Sequence, residues 1–246
     1  MFDFKGQTAI ITGGTRGIGK TMAEKFLQAG ARIIVTYTAN EAAAIQFKEN
    51  YRNFEESIDL QKFDVANYEE VQDFYRYVEE RYERFEILVN NAGIRKDSVL
   101  AMMKRSDWSD VIDINLTGNF YMCKFAVMSF MRRRYGRIIN ITSPIGKYGF
   151  EGLANYAASK AGQIGLTRSL SKEVATRGIT VNCVSPGFIE TELIQDLPEK
   201  LRNSYLAQVP MKRFGKTEEV AHCVLFLASK EASYITGAIV EVTGGL

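Results

Sequence analysis

Short apolar runs alternate with longer amphipathic stretches along nearly the whole chain, the pattern of strands buried on both faces and helices buried on one. Seven runs are brief, rich in β-branched or other apolar residues and bounded by turn residues, which predicts strands over 7–12, 32–37, 58–63, 87–90, 137–142, 180–184 and 239–243. Helical periodicity predicts helices over 18–29, 40–51, 68–84, 108–133, 155–176 and 217–227, the last with Thr217 as N-cap ahead of Glu218 and Glu219. Such alternation makes a doubly wound α/β fold: a seven-stranded parallel sheet with helices on both faces, one domain over 1–246. The pattern breaks at 188–215, which holds Pro198 and Pro210 and mixes apolar with charged residues. It follows a strand end, where ligands bind in such sheets, and is expected to be a substrate lid rather than a second domain.

Composition narrows the chemistry. A chain of 246 residues can bury a core without disulfide or metal staples, and His222 with three widely spaced cysteines offers no close ligand pair, so no metal site is expected. Against 29 acidic side chains stand 31 basic ones, which leaves no general field for nucleic acid. The start lacks the basic and apolar stretches of a secretory signal, and no apolar run reaches membrane-spanning length, so the expected location is cytoplasmic with no membrane partner.

The first predicted strand runs into Thr12-Gly13-Gly14-Thr15-Arg16-Gly17-Ile18-Gly19 and then a helix. Glycines there let the backbone approach a pyrophosphate, and the helix N-terminus attracts it. The spacing is not G-x-G-x-x-G, and a tight structural turn would use the same residues; the position between first strand and first helix favours a dinucleotide. An acid about 20 residues beyond the loop would accept the ribose 2′-hydroxyl of NAD. Segment 33–40 holds no acid, whereas Arg16 and Thr38 offer a cation and a hydroxyl to a 2′-phosphate. The expected cofactor is NADP(H), unless Arg16 is a solvated loop charge.

Tyr156 and Lys160 are four apart in a predicted helix, on one face. A nearby ammonium favours the phenolate and draws the tyrosine pKa down from about 10. Such a pair also arises on solvated faces; it gains weight from Ser143 at a strand's carboxyl end. With Thr12 to Gly19, Asp64-Val65, Asn90-Asn91-Ala92-Gly93, Asn115, Ser143, Tyr156-x-x-x-Lys160 and Pro186-Gly187 in that order, the chain resembles the short-chain dehydrogenase/reductase family over essentially its whole length.

The resemblance implies a Rossmann-type domain with Tyr156 as proton donor to a carbonyl oxygen and Ser143 holding that oxygen. Lys160 would lower the tyrosine pKa and bind the nicotinamide ribose, and Asn115 would hold a water in the proton relay. Donors aimed where negative charge grows stabilise the transition state more than the ground state. Cofactor contacts are implied for Gly13, Thr15, Arg16, Gly17, Ile18, Gly19 and Thr38, with Asp64 and Val65 at the adenine and Asn91, Ala92 and Gly93 on its ribose side. Pro186, Gly187, Ile189 and Thr191 would meet the nicotinamide carboxamide. Pro144 restricts Ser143 to extended conformations, and 144–150 shapes the pocket, so substrate detail transfers least there.

Within the family, segments 155–162, 178–182, 185–191, 208–210 and 233–237 read most like reductases of 3-oxoacyl chains carried on acyl carrier protein. That implies NADPH-dependent reduction to the 3-hydroxyacyl form in fatty acid synthesis. Arg134 and Arg177 fall at the positions that dock the acidic carrier, and Arg132 and Arg133 either thicken the patch or complement a helix C-terminus. The same chemistry on a coenzyme A thioester or another small ketone or alcohol stays open, since Ile145, Tyr148, Phe150, Phe188 and Leu193 name no substrate. So does a dinucleotide-binding regulator without turnover, although the intact catalytic set argues against it. Ala157, Ala158, Ala161, Gly162 and Gly165 slim the catalytic helix for close packing within or between chains, and the resemblance implies a homotetramer.

Overall fold

The computed structural model describes residues 2–195 and 197–246, so Met1 and, in the 188–215 segment, Asp196 lie outside the described residues, as do the side chains of Leu193 and Gln195. Along the chain run β1 (Thr8–Ile11), α1 (Gly17–Gln28), β2 (Arg32–Tyr37), α2 (Glu41–Asn50), β3 (Ile58–Lys62), α3 (Tyr68–Arg81) and β4 (Ile87–Asn90). Then come α4 (Arg105–Ile112), a π turn (Asp113–Thr117), α5 (Gly118–Arg133), β5 (Gly136–Ile141), α6 (Ile145–Tyr148), α7 (Ala154–Val174) and β6 (Ile179–Pro186). The chain ends with α8 (Glu192–Gln195), α9 (Glu199–Gln208), α10 (Thr217–Ala228) and β7 (Ile239–Val242).

All seven strands join one parallel sheet in the order β3-β2-β1-β4-β5-β6-β7. Successive strand residues point to opposite faces, which builds two apolar layers. Ile11, Ile33, Val35 and Val89 pack with Met22 and Phe26 of α1 and Val220 and Val224 of α10. Ile10, Ile34, Leu88 and Ile138 pack on the other face with Val71 and Phe74 of α3 and Met122 and Phe130 of α5. The order reverses between β1 and β4, which opens a crevice at their carboxyl ends.

Three local expectations change. The helix predicted over 108–133 begins at Arg105 and is interrupted by the π turn, a feature that hydrophobic periodicity does not reveal. Lys216, not Thr217, is the N-cap of α10: its N–H donates to the Glu219 carboxylate at 2.7 Å, while the Thr217 hydroxyl accepts from Thr21 at 2.9 Å and ties α10 to α1. Strand β6 also outruns its prediction, because Ser185 and Pro186 pair with Glu241 and Val242 of the edge strand β7 after the pairing with β5 has ended at Val184.

Candidate functional site

The glycine loop sits in the crevice between β1 and β4 and is locked to the end of β4. The Thr12 hydroxyl accepts the N–H groups of Asn91 and Ala92, each at 2.9 Å, and the Asn91 side-chain amide donates to the carbonyls of Thr12 and Gly13, each at 3.0 Å. Asn91 thus sets the loop, its amide donor committed there. Gly13 and Gly17 have φ of 62° and 52°, the left-handed region, and a Cβ at Gly19 would lie 2.3 Å from the Gly13 carbonyl oxygen. The N-cap residue Arg16 does not cap α1 with its side chain and no acid stands in the first turn, so among the described residues the N–H groups and dipole of α1 are left to attract an anion. Thr15 is buried beneath the loop and Ile18 half-buried beside it.

The flanks of this cradle fit a phosphorylated dinucleotide. Arg16 is exposed and held by no ion pair among the described residues. The Thr38 hydroxyl donates to the Phe63 carbonyl at 3.2 Å, which leaves Arg16 the freer donor for a 2′-phosphate. The Asp64 carboxylate accepts the Ala66 N–H at 2.9 Å and fixes the turn after β3; Val65 is buried against Gly118, where a Cβ would come within 2.9 Å of it. On the far side Pro186 ends β6, Gly187 donates to the Val242 carbonyl at 3.0 Å and Ile189 is buried. Thr191 approaches the loop: its methyl lies 4.0 Å from a Cβ built on Gly17. The glycine-loop and 186–191 contacts predicted separately thus line one crevice.

Ser143, Tyr156, Lys160 and Asn115 meet at the carboxyl end of β5. The Lys160 ammonium donates to the Ile141 carbonyl at 2.8 Å, and the Thr142 hydroxyl donates to the Lys160 carbonyl at 3.0 Å, which pins α7 to the strand. Gly146 of α6 lets the chain pass, since a Cβ there would come within 2.8 Å of α7 backbone. The Lys160 ammonium lies 5.5 Å from the centre of the Tyr156 ring and near Gly93, whose Cβ, if present, would be 3.8 Å away. Asn115, fully buried in the π turn, clamps the loop after β4: its side chain accepts the Ile94 N–H at 2.8 Å and donates to the Ile94 carbonyl at 2.9 Å and the Ser159 hydroxyl at 3.2 Å. Its backbone carbonyl accepts from the Gln163 amide at 2.6 Å.

The electrostatics correct one expectation. Burial pushes the Tyr156 phenol above its ordinary pKa; the Ser143 hydrogen bond and the Arg95 charge oppose that rise. Lys160 does not pull it down in this arrangement, because its ammonium lies over the ring and commits its N–H groups to Ile141 and Gln163. Lys160 itself is lowered to about 8 by burial, with Cys183 opposing.

Two residues of the site escaped the sequence reading. Arg95, exposed on the loop after β4, is held by Asp97 through Nε at 2.7 Å and Nη2 at 2.5 Å, and interacts with Tyr205 of α9 and Tyr156. Tyr205 stacks on Phe188 of its own segment with centroids 4.6 Å apart and meets Phe150 edge-on at 6.0 Å, so the 188–215 segment packs against the loop between α6 and α7. Gln163 is the other; its spacing of three from Lys160 and seven from Tyr156 puts it on the same helix face, a signal present in the sequence.

The predicted arginine patch lies elsewhere. Arg134 and Arg177 are exposed and adjacent, Arg134 donating to the Thr176 carbonyl at 2.9 Å, but they precede β5 and β6. They therefore sit at the amino end of the sheet, separated from Ser143 by the length of β5, about 20 Å. Arg132 pairs with Glu79 and Arg133 donates to the Glu83 carbonyl, so both serve the α3 contact. His222 is exposed, and no cluster of metal-ligating side chains occurs among the described residues.

Fold and site together define a dinucleotide-dependent oxidoreductase with a doubly wound sheet. The chain belongs to the short-chain dehydrogenase/reductase family: the family model described as Enoyl-(Acyl carrier protein) reductase matches residues 13–246. It is 43% identical over 244 residues to the 3-oxoacyl-[acyl-carrier-protein] reductase FabG of Vibrio cholerae serotype O1, covering 99% of this chain and 98% of that protein. The protein of the same name from Escherichia coli K12 is 44% identical over 245 residues, with 99% and 98% covered. A crystal structure of a provisionally named gluconate dehydrogenase from Agrobacterium tumefaciens superposes with a TM-score of 0.94 at 33% identity, over 99% of this chain and 96% of that one.

Proposed function

We propose that the chain is an NADPH-dependent 3-oxoacyl-[acyl-carrier-protein] reductase of fatty acid synthesis, acting in the cytoplasm. The observation that carries this reading is the meeting of Ser143, Tyr156 and Lys160 beside the anion cradle, in a chain 43% identical over nearly its full length to a reductase of that name. When bound, the reduced nicotinamide supplies the hydride for the substrate's C3. Ser143 holds the 3-oxo oxygen, and Tyr156, protonated at neutral pH by its raised pKa, delivers the proton to it. Lys160 supplies a positive charge beside the phenolate left behind and a donor for the ribose. Residues 188–215 form the lid, with Tyr205 and Phe188 as its contact with the acyl chain.

Arg16 supports NADPH over NADH. Arg16→Ala is expected to weaken NADPH binding roughly 10- to 100-fold, the worth of a charge-assisted hydrogen bond, and to leave NADH binding nearly unchanged, as read by calorimetric titration. Tighter binding of NADH than NADPH by the unaltered protein would refute the 2′-phosphate assignment.

The carrier is assigned through a second copy of the chain. Helix α5 runs against β5, so its start lies at the catalytic end and Arg134 at the other. An antiparallel pairing of α5 with its copy brings the copy's Arg134 and Arg177 towards this chain's crevice, and exposed Phe120, Met128 and Met131 on α5 supply the apolar face for such a contact in a homotetramer. With matched acyl carrier protein and coenzyme A thioesters, the carrier substrate is expected to have the higher kcat/KM. Arg134→Ala with Arg177→Ala should lower it roughly tenfold for the carrier alone. Equal rates with both thioesters, untouched by the double substitution, would point to coenzyme A or a small ketone.

A further inference from the structure

Helix α7 carries a polar stripe at intervals that hold one face, half-buried Tyr156 followed by buried Lys160, Gln163 and Thr167. Gln163 is 1% exposed. Its Nε2 donates to the Asn115 backbone carbonyl at 2.6 Å, and its Oε1 accepts from the Lys160 ammonium at 3.3 Å. A carbonyl can only accept and an ammonium can only donate, so the bridge needs one side chain that offers both functions. An amide does so; a leucine offers neither and a glutamate lacks the donor. The carbonyl belongs to the π turn, where the regular helical hydrogen-bond ladder is interrupted and a side chain can take its place.

We infer that Gln163 is a positioning residue of the proton-transfer site, one that holds the Lys160 ammonium charged and in place beneath Tyr156 by tying it to the Asn115 carbonyl. The role rests on the acid–base reading proposed above and extends it. The ammonium is buried and has two acceptors, the Ile141 carbonyl and Gln163. Burial favours the neutral amine, and each acceptor favours the cation. Around it, β5 contributes the Ile141 carbonyl, the loop after β4 Gly93, and α6 Gly146, none of them titratable; the titratable neighbours are Tyr156 on α7 and Cys183 on β6, with Arg95 acting on Tyr156. Losing one of two acceptors therefore bears directly on the proton of Lys160.

The test reads that proton without substrate or cofactor. In protein labelled with carbon-13 at lysine Cε, the Lys160 signal is assigned by its disappearance in Lys160→Met and titrated in the unaltered chain, Gln163→Leu and Gln163→Glu. The unaltered midpoint is expected at about 8. Gln163→Leu should move it down by about one pH unit, and Gln163→Glu, whose carboxylate faces the ammonium, should move it up. In turnover, Gln163→Leu should lower kcat about fivefold at pH 8, the loss of cationic fraction that such a shift produces, and leave the thioester KM within about twofold. A merely structural role would lower the melting temperature and leave the midpoint where it was. If both midpoints match the unaltered protein the inference falls, and if Gln163→Leu does not fold, a Gln163→Glu midpoint no higher than the unaltered one overturns it alone. An unaltered protein that reduces no 3-oxoacyl thioester would sink the proposed reaction and leave this result standing.

Discussion

Tyr156→Phe is expected to lose roughly 10²- to 10⁴-fold in kcat with a 3-oxoacyl thioester, the usual worth of a placed general acid. The ring stays and only the hydroxyl goes. The apolar fit of α7 against β5 is untouched, and the Lys160 ammonium keeps its bonds to Ile141 and Gln163. NADPH affinity, read by fluorescence titration, should change less than threefold or so, because the cradle of Gly13 to Gly19 lies outside the change. Ser143→Ala, which removes the second donor at the same oxygen, should cost about 10²- to 10³-fold. In the proposed mechanism the two residues act on one atom, so the double variant should fall well short of the product of the single losses. Turnover by Tyr156→Phe within tenfold of the unaltered enzyme would remove the tyrosine from the mechanism as the proton donor.

Much of this is legible in the sequence. Strands 32–37 and 87–90 match to the residue, because a strand covered on both faces is a nearly unbroken apolar run with polar punctuation. Ser143, Tyr156, Lys160 and Asn115 were legible as an ordered set, and the topology brings them together. Other features were hidden for physical reasons. The π turn adds a backbone irregularity inside a stretch whose side chains still read as helix, so the Asn115 carbonyl that it leaves for a side-chain donor has no mark in the periodicity, although the helix face of Gln163 does. Arg95 reads as a loop charge; only packing reveals that it lies beside Tyr156. The placement of Arg134 and Arg177 was available in the sequence, since both precede predicted strands while Ser143 follows one. Parallel strands put all such positions at opposite ends of the sheet. The tyrosine pKa went the other way from expectation because a spacing of four residues fixes the face, whereas the balance between burial and charge depends on where the ammonium's hydrogen bonds go.

Lys160→Met is expected to abolish most turnover and yet to make the fold less dependent on pH. Burial lowers the Lys160 pKa from 10.5 to about 8, so at pH 7 the folded chain holds a cation at a cost of about 3 kcal/mol relative to the unfolded one. Between pH 8 and 10.5 the unfolded chain keeps this proton and the folded chain has released it. The unfolded state then binds more protons, so this group's contribution to stability rises with pH across that window, and below pH 8 the full cost is present. Methionine has similar length and no charge. It leaves the Ile141 carbonyl and the Gln163 oxygen without a donor, which offsets part of the gain, at about 1 to 3 kcal/mol for each buried group. The absolute difference at pH 7 is therefore small, and its change with pH carries the information. Urea unfolding at pH 7 and pH 10.5 should show the variant losing about 3 kcal/mol relative to the unaltered chain over that interval, with Tyr156 and Cys183 common to both and largely cancelling. A difference that stays constant with pH would mean that Lys160 is not a buried cation, and the charge proposed to stand beside the phenolate would have to come from Arg95.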